Sequence, residues 1–223
     1  MLPISSSEPS AINTFAQLRY SKRAPIFIVD SEQAITFTEK LDQNINDWCL
    51  SPEERDATAY QEAWNERINI SHHLLNNQEI YFLLGLYASE QIRFYVYKIN
   101  DETPVGMMIT SCSYERYLTI ERLVTHPGSM GCGGALIEEA VRYSEMQGYH
   151  GVVKLIAVDD KAALCYLALG FKEKKEDEAL LLKLDPNTSE HWEKNKENDN
   201  KWSLKKYITT FYLENVFKEV AGE

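Results

Sequence analysis

Hydrophobic residues follow two different periods along the chain, which divides it into a helical part and a part rich in strands. From about residue 39 to 77 apolar positions recur at helical spacing, and Ser51, Pro52 and Glu54 form a helix-capping pattern. Short β-rich runs follow, separated by polar connections. This pattern predicts hairpin-linked antiparallel strands over residues 80–87, 92–99, 105–113 and 118–124.

The second half of the chain alternates between strand and helix. A glycine cluster after Pro127 leads into an amphipathic helix that ends at Gly148, and its apolar face carries Leu136, Ile137, Ala140, Val141 and Ser144. A buried strand over 152–158, a helix over 160–169 and a strand over 179–184 follow. We therefore predict an α+β fold, with a mixed, mostly antiparallel central sheet flanked by helices and a parallel segment at its middle.

Three regions are predicted along the chain. Residues 1–30 form a flexible or poorly assigned segment rich in Ser and Pro, either a disordered terminus or a targeting leader. Residues 31–184 form the folded domain, and residues 185–223 form a polar linker, or an exposed helix, followed by a C-terminal helical extension. The apolar stripe of that extension predicts a helix docked on its own domain or a homodimer contact, and it comprises Leu204, Ile208, Phe211, Tyr212, Val216 and Val220.

Composition excludes several classes of protein. The 223 residues are 44% hydrophobic, which suffices for a sizeable core, and 23 Lys and Arg against 34 Asp and Glu give a net charge of −11. That charge disfavours a nucleic-acid partner. No apolar run approaches the roughly 20 residues that span a bilayer, so no membrane association is expected. The four cysteines have no metal-site spacing, and without a signal peptide we expect reduced thiols, no metal and a cytoplasmic location.

The loop over residues 128–134 is the most informative segment for function. It follows a strand and opens a helix, so its backbone amides are suited to an anion such as a pyrophosphate. Gly128 and Gly133 have the spacing of a phosphate-binding P-loop, but Gly134 stands where that motif needs lysine. Leu136 stands where a dinucleotide fingerprint needs its third glycine. Neither motif is present.

A third pattern fits this loop. Leu123, Thr125 and Pro127 leading into Gly131, Gly133 and Gly134 resemble the acetyl-coenzyme A loop of the GCN5-related N-acetyltransferase (GNAT) superfamily. A second stretch, from Asp159 to Phe171 with Tyr166 inside it, is similar to another conserved segment of that family. The family usually has Gln or Arg in place of Gly128 and Asn in place of Asp159. The resemblance covers roughly residues 105–184 and implies a GNAT-like fold.

The resemblance also implies an activity and a set of site residues. It implies an acyltransferase that moves an acetyl group from acetyl-CoA, the donor substrate, to a primary amine by direct attack in a ternary complex. The alternative is a catalytically idle protein that binds a CoA thioester as a sensor or interaction module. The donor is expected to lie against Leu123, Val124, Thr125, Ser129, Met130, Gly131, Cys132, Gly133, Gly134, Asp159, Ala162 and Tyr166.

Two residues are predicted to act in catalysis. Tyr166 matches the family's acid, which protonates the leaving thiolate. By the two-residue period of a strand, residues 119, 121, 123 and 125 share one face. Glu121 stands four residues before Thr125, where some members of the resembled family carry a base, so the resemblance implies that it is a general base or substrate anchor. A salt bridge with a residue such as Arg116 is the alternative for Glu121. The acceptor, a small-molecule or protein amine, is not identified by the sequence. Residues 1–116 hold 9 Lys and Arg against 16 Asp and Glu, which is consistent with a cationic acceptor.

Overall fold

The computed structural model describes residues 26–46, 59–76, 85, 91–99, 103–112, 117–126, 131–174, 180–195 and 201–205. Within these ranges the helices are α1 Ser31–Asn46, α2 Ala59–Leu74, α3 Cys132–Met146 and α4 Asp160–Ala168. The strands are β1 Ile26–Val29, β2 Ile92–Ile99, β3 Thr103–Cys112, β4 Leu118–Thr125, β5 Val153–Ile156, β6 Lys172–Glu173, β7 Leu181–Leu184, β8 Trp192–Asn195 and β9 Lys201–Leu204.

Seven of the described strands form one twisted sheet in the order β1-β2-β3-β4-β5-β7-β6. Each neighbouring pair is antiparallel except β4 and β5, which run parallel at the middle of the sheet. The predicted α+β class is therefore confirmed. A parallel pair needs a crossover connection, and α3 provides it between β4 and β5.

Helices pack on both faces of the sheet because alternate strand residues are apolar on both sides. One core cluster joins α3 to Leu118 and Ile120 of β4, whereas the other joins α1 and α2 to Val124 of the same strand. The residues predicted for the apolar face of α3 are all buried. That helix ends where Gly148 adopts a φ of 78°, a left-handed conformation that glycine accepts without strain.

The N-terminal boundary lies earlier than the sequence predicted. Ile26–Val29 pairs with β2 as an edge strand, so the sheet already includes residues assigned to the N-terminal segment. Helix α1 begins at Ser31 rather than near residue 39. The Gln33 amide donates to Asp30 Oδ1 at 2.8 Å and the Asp30 amide donates to Gln33 Oε1 at 3.3 Å, which is a reciprocal capping box.

The C-terminal prediction of a linker or exposed helix after residue 184 is wrong for the described part of that segment. β8 and β9 form an antiparallel hairpin, with Trp192 opposite Leu204. Trp192, Trp202 and Leu204 are buried against the α3 side of the sheet, and Trp192 Nε1 donates to the Leu169 carbonyl at 2.8 Å. The alternation of buried and exposed residues was not recognised in the sequence because the exposed face of the hairpin carries charged residues. The predicted helix lies, apart from Leu204 and Lys205, outside the described residues.

Two other predictions concern residues that lie wholly or mostly outside the described ranges. The capping pattern at residues 51–54 lies outside them. Of the strand predicted over 80–87 only Gly85 is described, and it is helical. Among the described helices, none has the length and apolarity needed to cross a membrane.

Candidate active site

The candidate site lies where β4 and β5 separate. Their register runs from Leu118 opposite Val153 to Ile120 opposite Leu155, and residues 122–125 then pair with β3 alone among the described strands. Because β4 and β5 are parallel, their carboxyl ends lie at the same edge of the sheet. α3 follows β4 and α4 follows β5, so both helices begin at this edge. Ligands of sheets with parallel strands commonly bind at such a position.

A β-bulge interrupts β4 at Glu121. Ile109 of β3 pairs with Arg122 and the next residue, Thr110, pairs with Ile120, so Glu121 is the extra residue on the β4 side. Bulges bend a strand and redirect its side chains, and they are frequent beside active sites. The bulge lies directly after the last residue of β4 that is in register with β5. It therefore coincides with the separation of the two strands.

The bulge also changes which side chains share a face. Leu118, Ile120 and Leu123 all belong to the core on the α3 side, although strict alternation would separate Leu123 from the other two. Val124 belongs to the core beneath α1 and α2. The prediction that residues 119, 121, 123 and 125 share one face is therefore wrong. One inserted residue reverses the alternation for the rest of the strand.

Glu121 is oriented toward the α1 and α2 side of the sheet by a buried serine. Ser111 Oγ donates to Glu121 Oε1 at 2.5 Å, and Ser111 is only 2% exposed. Leu118 and Ile120, the neighbours of Thr119 in β4, face α3, so Thr119 lies on the opposite face of the sheet. Ser111 pairs with Thr119 and shares that face. The half-buried Glu121 carboxylate thus has a defined position beside the gap between β4 and β5. Arg116, its predicted alternative partner, lies outside the described residues.

The first turn of α3 is formed by glycines that have different physical roles. Gly131 precedes the helix with a φ of 83° and, as a glycine, makes no side-chain cap hydrogen bond. A Cβ at Gly133 would lie 3.7 Å from the side chains of both Leu123 and Thr125, so this turn adjoins the end of β4. Gly134 accommodates Leu204 of the hairpin, whose Cδ1 would be 3.3 Å from an added Cβ. Packing thus explains Gly134 without a ligand.

The first turn of α4 is capped by the protein itself. Asp159 has extended backbone geometry, and its Oδ1 accepts the Ala162 amide at 2.6 Å. The predicted cofactor residues Asp159 and Ala162 are therefore bonded to each other. An N-cap carboxylate also places negative charge at the positive end of the helix dipole.

Tyr166 lies half-buried on α4 and packs against the α3 core. Its ring meets Phe171 edge to face, with centroids 5.5 Å apart. Burial, followed by the nearby Cys165 and Asp159, raises the pKa of the Tyr166 phenol above its ordinary value of 10. The phenol is therefore protonated throughout the neutral range, as it would be at its ordinary pKa, and burial makes it a weaker acid.

His126 ends β4 and is 2% exposed. Its amide donates to the Val105 carbonyl at 2.8 Å. Burial lowers the pKa of the imidazole to about 4, and a hydrogen bond to the Asn44 backbone only partly offsets this effect. The ring is neutral and enclosed at physiological pH, so it is a poor candidate for an acid or base that must meet a substrate.

The structure brings together part of the predicted site. Leu123 and Thr125 of β4 adjoin Gly133 of α3, while Val124 faces the opposite core. The predicted residues Ser129 and Met130 lie outside the described ranges. In those ranges no group of three or more His, Cys, Asp or Glu side chains is arranged to hold a metal.

Two supporting residues were missed by the sequence analysis. Ser111, which orients Glu121, was visible only as a polar residue inside an apolar strand. Gly106 of β3 lies against Cys132 and Leu136, where any added Cβ would meet the start of α3. An isolated glycine within a strand pattern is a sign of such close approach.

No protein-family model and no curated protein matches the sequence. Solved structures with partial likeness include nourseothricin acetyltransferase, at 22% identity over 44% of this chain and 66% of that chain, TM-score 0.36. A putative N-acetyltransferase from Lactobacillus plantarum is 12% identical over 73% of this chain and 97% of that chain, TM-score 0.45. A Bacillus subtilis acetyltransferase in complex with CoA is 16% identical over 46% of this chain and 82% of that chain, with a TM-score of 0.39.

Proposed function

We propose that this protein is an N-acetyltransferase that transfers an acetyl group from acetyl-CoA to a primary amine while both substrates are bound. One observation carries the proposal: β4 leaves β5 after Ile120, immediately before a bulged carboxylate and beside the glycine-rich start of α3. The gap offers a strand edge to the pantetheine arm, and the helix start offers amides to the pyrophosphate.

The residues beside the gap suit the first step of the reaction. A primary amine with a pKa of about 10.4 must lose a proton at a cost of about 4.6 kcal/mol at pH 7. Glu121, held by Ser111, would accept that proton directly or through water, or anchor the ammonium before transfer. Holding amine and thioester together would supply about 7 to 11 kcal/mol in addition. A backbone amide near Val124 or Thr125 would stabilise the oxyanion.

Tyr166 would serve the last step, in which coenzyme A leaves as a thiolate. Its phenol carries a proton across the neutral range, as a phenol with its ordinary pKa of about 10 also would, and burial raises that pKa further. Tyr166→Phe is expected to lower kcat by about a hundredfold or more and to leave donor affinity nearly unchanged, since general acids contribute about 10²-fold or more. Tyr149→Phe, in the turn after α3, is the matched control. The measurement is thiol release from acetyl-CoA with a panel of amines.

A second candidate function is a CoA-thioester sensor without turnover. The Ser111 bond favours it, because a carboxylate that already accepts a hydrogen bond from a buried hydroxyl can have a purely structural role. Binding of acetyl-CoA with no thiol release across the panel would support the sensor. Unchanged kcat in Tyr166→Phe would contradict the acid role, and equal kcat in Glu121→Gln and wild type would contradict the base role.

A further inference from the structure

Five register-matched residues form a line across the sheet on the face that carries Glu121. Ser111, Thr119, Lys154, Lys183 and Lys172 are paired in succession across β3, β4, β5, β7 and β6. Paired residues of neighbouring strands point to the same face. Ser111 bonds Glu121, so the line begins at the candidate base and continues into three lysines. We call Lys154, Lys183 and Lys172 the lysine row.

The lysine row faces away from the α3 core. Val153 and Leu155, which flank Lys154 in β5, are buried in that core, as are Leu182 and Leu184, which flank Lys183 in β7. Strand alternation therefore directs the lysines to the other face. Ile156, two residues beyond Lys154, is 66% exposed, so the described residues leave this end of the face open.

The electrostatics of the row are unlike those of the whole chain. Like charges directly opposite each other across strands destabilise a sheet, and the row contains two such pairs, Lys154 with Lys183 and Lys183 with Lys172. Glu173 pairs with Leu182 and so points to the opposite face. Lys154 also lies 3.4 Å above the Tyr117 ring, which fixes its position. The row therefore concentrates three positively charged side chains on one face of a chain whose net charge is negative.

We infer that the acceptor is an acidic peptide, whose amine reaches Glu121 and whose following carboxylates contact the lysine row. This inference rests on the proposed function. Neighbouring strands are about 4.8 Å apart, so the row lies about 10 to 19 Å from the strand of Ser111. An extended peptide advances about 3.3 Å per residue, which brings its third to sixth residues over the lysines. The exposed Ile156, paired with Leu181, offers an apolar contact nearer the gap.

An acidic peptide fits these observations better than a nucleic acid. Three lysines match a few carboxylates, whereas a net charge of −11 opposes a long polyphosphate. The row itself contains no aromatic residue for base stacking, and the nearby Tyr117 ring is covered by Lys154. The positive charge of the lysine row thus favours an anionic acceptor, whereas the net negative charge of the chain had suggested a cationic one.

The test uses the full chain and three peptides that differ only at positions three to six, which are Glu, Gln or Arg. Each peptide has its N-terminal amine as its only amine, and kcat and KM are measured by thiol release. The Glu peptide is expected to have a KM about tenfold or more below that of the Gln peptide. In Lys154→Glu/Lys183→Glu this preference should disappear with little change in kcat. Lys201→Glu, in the hairpin on the opposite side, is the charge-matched control.

The remaining outcomes decide between this inference and the proposed function. Turnover without preference among the peptides would overturn the inference and leave the proposed function standing. If no peptide is turned over, anisotropy of a labelled Glu peptide in the presence of CoA is the second readout. Binding lost in the double lysine variant would then support an acidic-peptide surface on a protein without transferase activity, and absent binding would overturn it.

Two further measurements test other occupants of the lysine row. Preferred turnover of an amine-tagged oligonucleotide would identify a nucleic-acid partner and overturn the inference. The chain's own acidic residues Glu176, Asp177 and Glu178 come between β6 and β7 in the sequence. Peptide binding that appears only after their replacement by Gln, Asn and Gln would identify this segment as the occupant, and it would also overturn the inference.

Discussion

Helices α3 and α4 begin at the same edge of the sheet, yet their first turns are built in opposite ways. α3 starts from Gly131 in a left-handed conformation, and glycine has no side chain with which to cap the helix. α4 starts from Asp159, whose carboxylate accepts the Ala162 amide. A cap stabilises its own helix but neutralises the positive end that an external anion would use. The start of α4 therefore opposes an external anion more than the start of α3 does.

The largest expected effect comes from Gly106, which allows α3 to approach β3. In Gly106→Ala the new Cβ would overlap Cys132 Sγ and come within 3.1 Å of Leu136 Cδ1. Overpacking of this kind costs about 1–3 kcal/mol, and at the start of α3 we expect the upper end of that range. Urea unfolding measures the loss. Adding Cys132→Ala should restore part of it, and an equal loss in both backgrounds would show that the α3 contact is not responsible.

The second effect depends on pH and concerns His126, which precedes the connection into α3. Burial lowers its folded pKa to about 4, against about 6.5 in the unfolded chain. The folded state therefore gains stability from neutral His126 above pH about 6.5 and loses it as pH falls toward 4, about 3 kcal/mol in all.

Urea unfolding between pH 7 and pH 4 tests this contribution. His126→Gln should reduce the decline in unfolding free energy over that range, because Gln has no proton to gain. Equal declines in wild type and His126→Gln would contradict the assignment to His126.

The third effect concerns the cap of α4. Asp159→Ala removes the hydrogen bond to the Ala162 amide and is expected to cost about 1 kcal/mol of unfolding free energy. Asp159→Asn should stay within a few tenths, since Asn caps helices about as well as Asp. Both variants remove a negative charge near the candidate donor site, so calorimetric titration should give a CoA affinity equal to or above that of wild type. Weaker CoA binding in Asp159→Asn would mean that the carboxylate itself contacts the donor.

Features of this molecule that have a local sequence pattern were predictable, whereas features that depend on strand register were not. Strong periodicity placed β2 and the buried face of α3 correctly, and glycine and proline marked the loop between β4 and α3. The bulge at Glu121 was not predictable in this way, because it depends on the register between β3 and β4 and leaves no local pattern. The side of the sheet that Leu123 faces depends on the same register, so the sequence alone did not predict it.

Long-range pairing also explains the other differences. Trp192 and Trp202 are buried because their hairpin covers α3, which no local pattern in a polar segment indicates. The lysine row is likewise a product of sheet order, since its members are 11 to 29 residues apart along the chain. By contrast, the capping box of Asp30 and Gln33 was present in the sequence and could have been recognised.

The smallest change in stability, in Gly133→Ala, tests the comparison between the two helix starts most directly. Leu123 and Thr125 would meet the added methyl at 3.7 Å, an ordinary contact, and alanine is favoured over glycine within a helix by about 0.5–1 kcal/mol. The unfolding free energy should therefore rise slightly. Acetyl-CoA affinity should fall, because the methyl group would lie between the α3 amides and the end of β4, where the donor is proposed to bind. A variant that is more stable and binds the donor less tightly separates packing from function, whereas unchanged affinity would remove the α3 start from the candidate site.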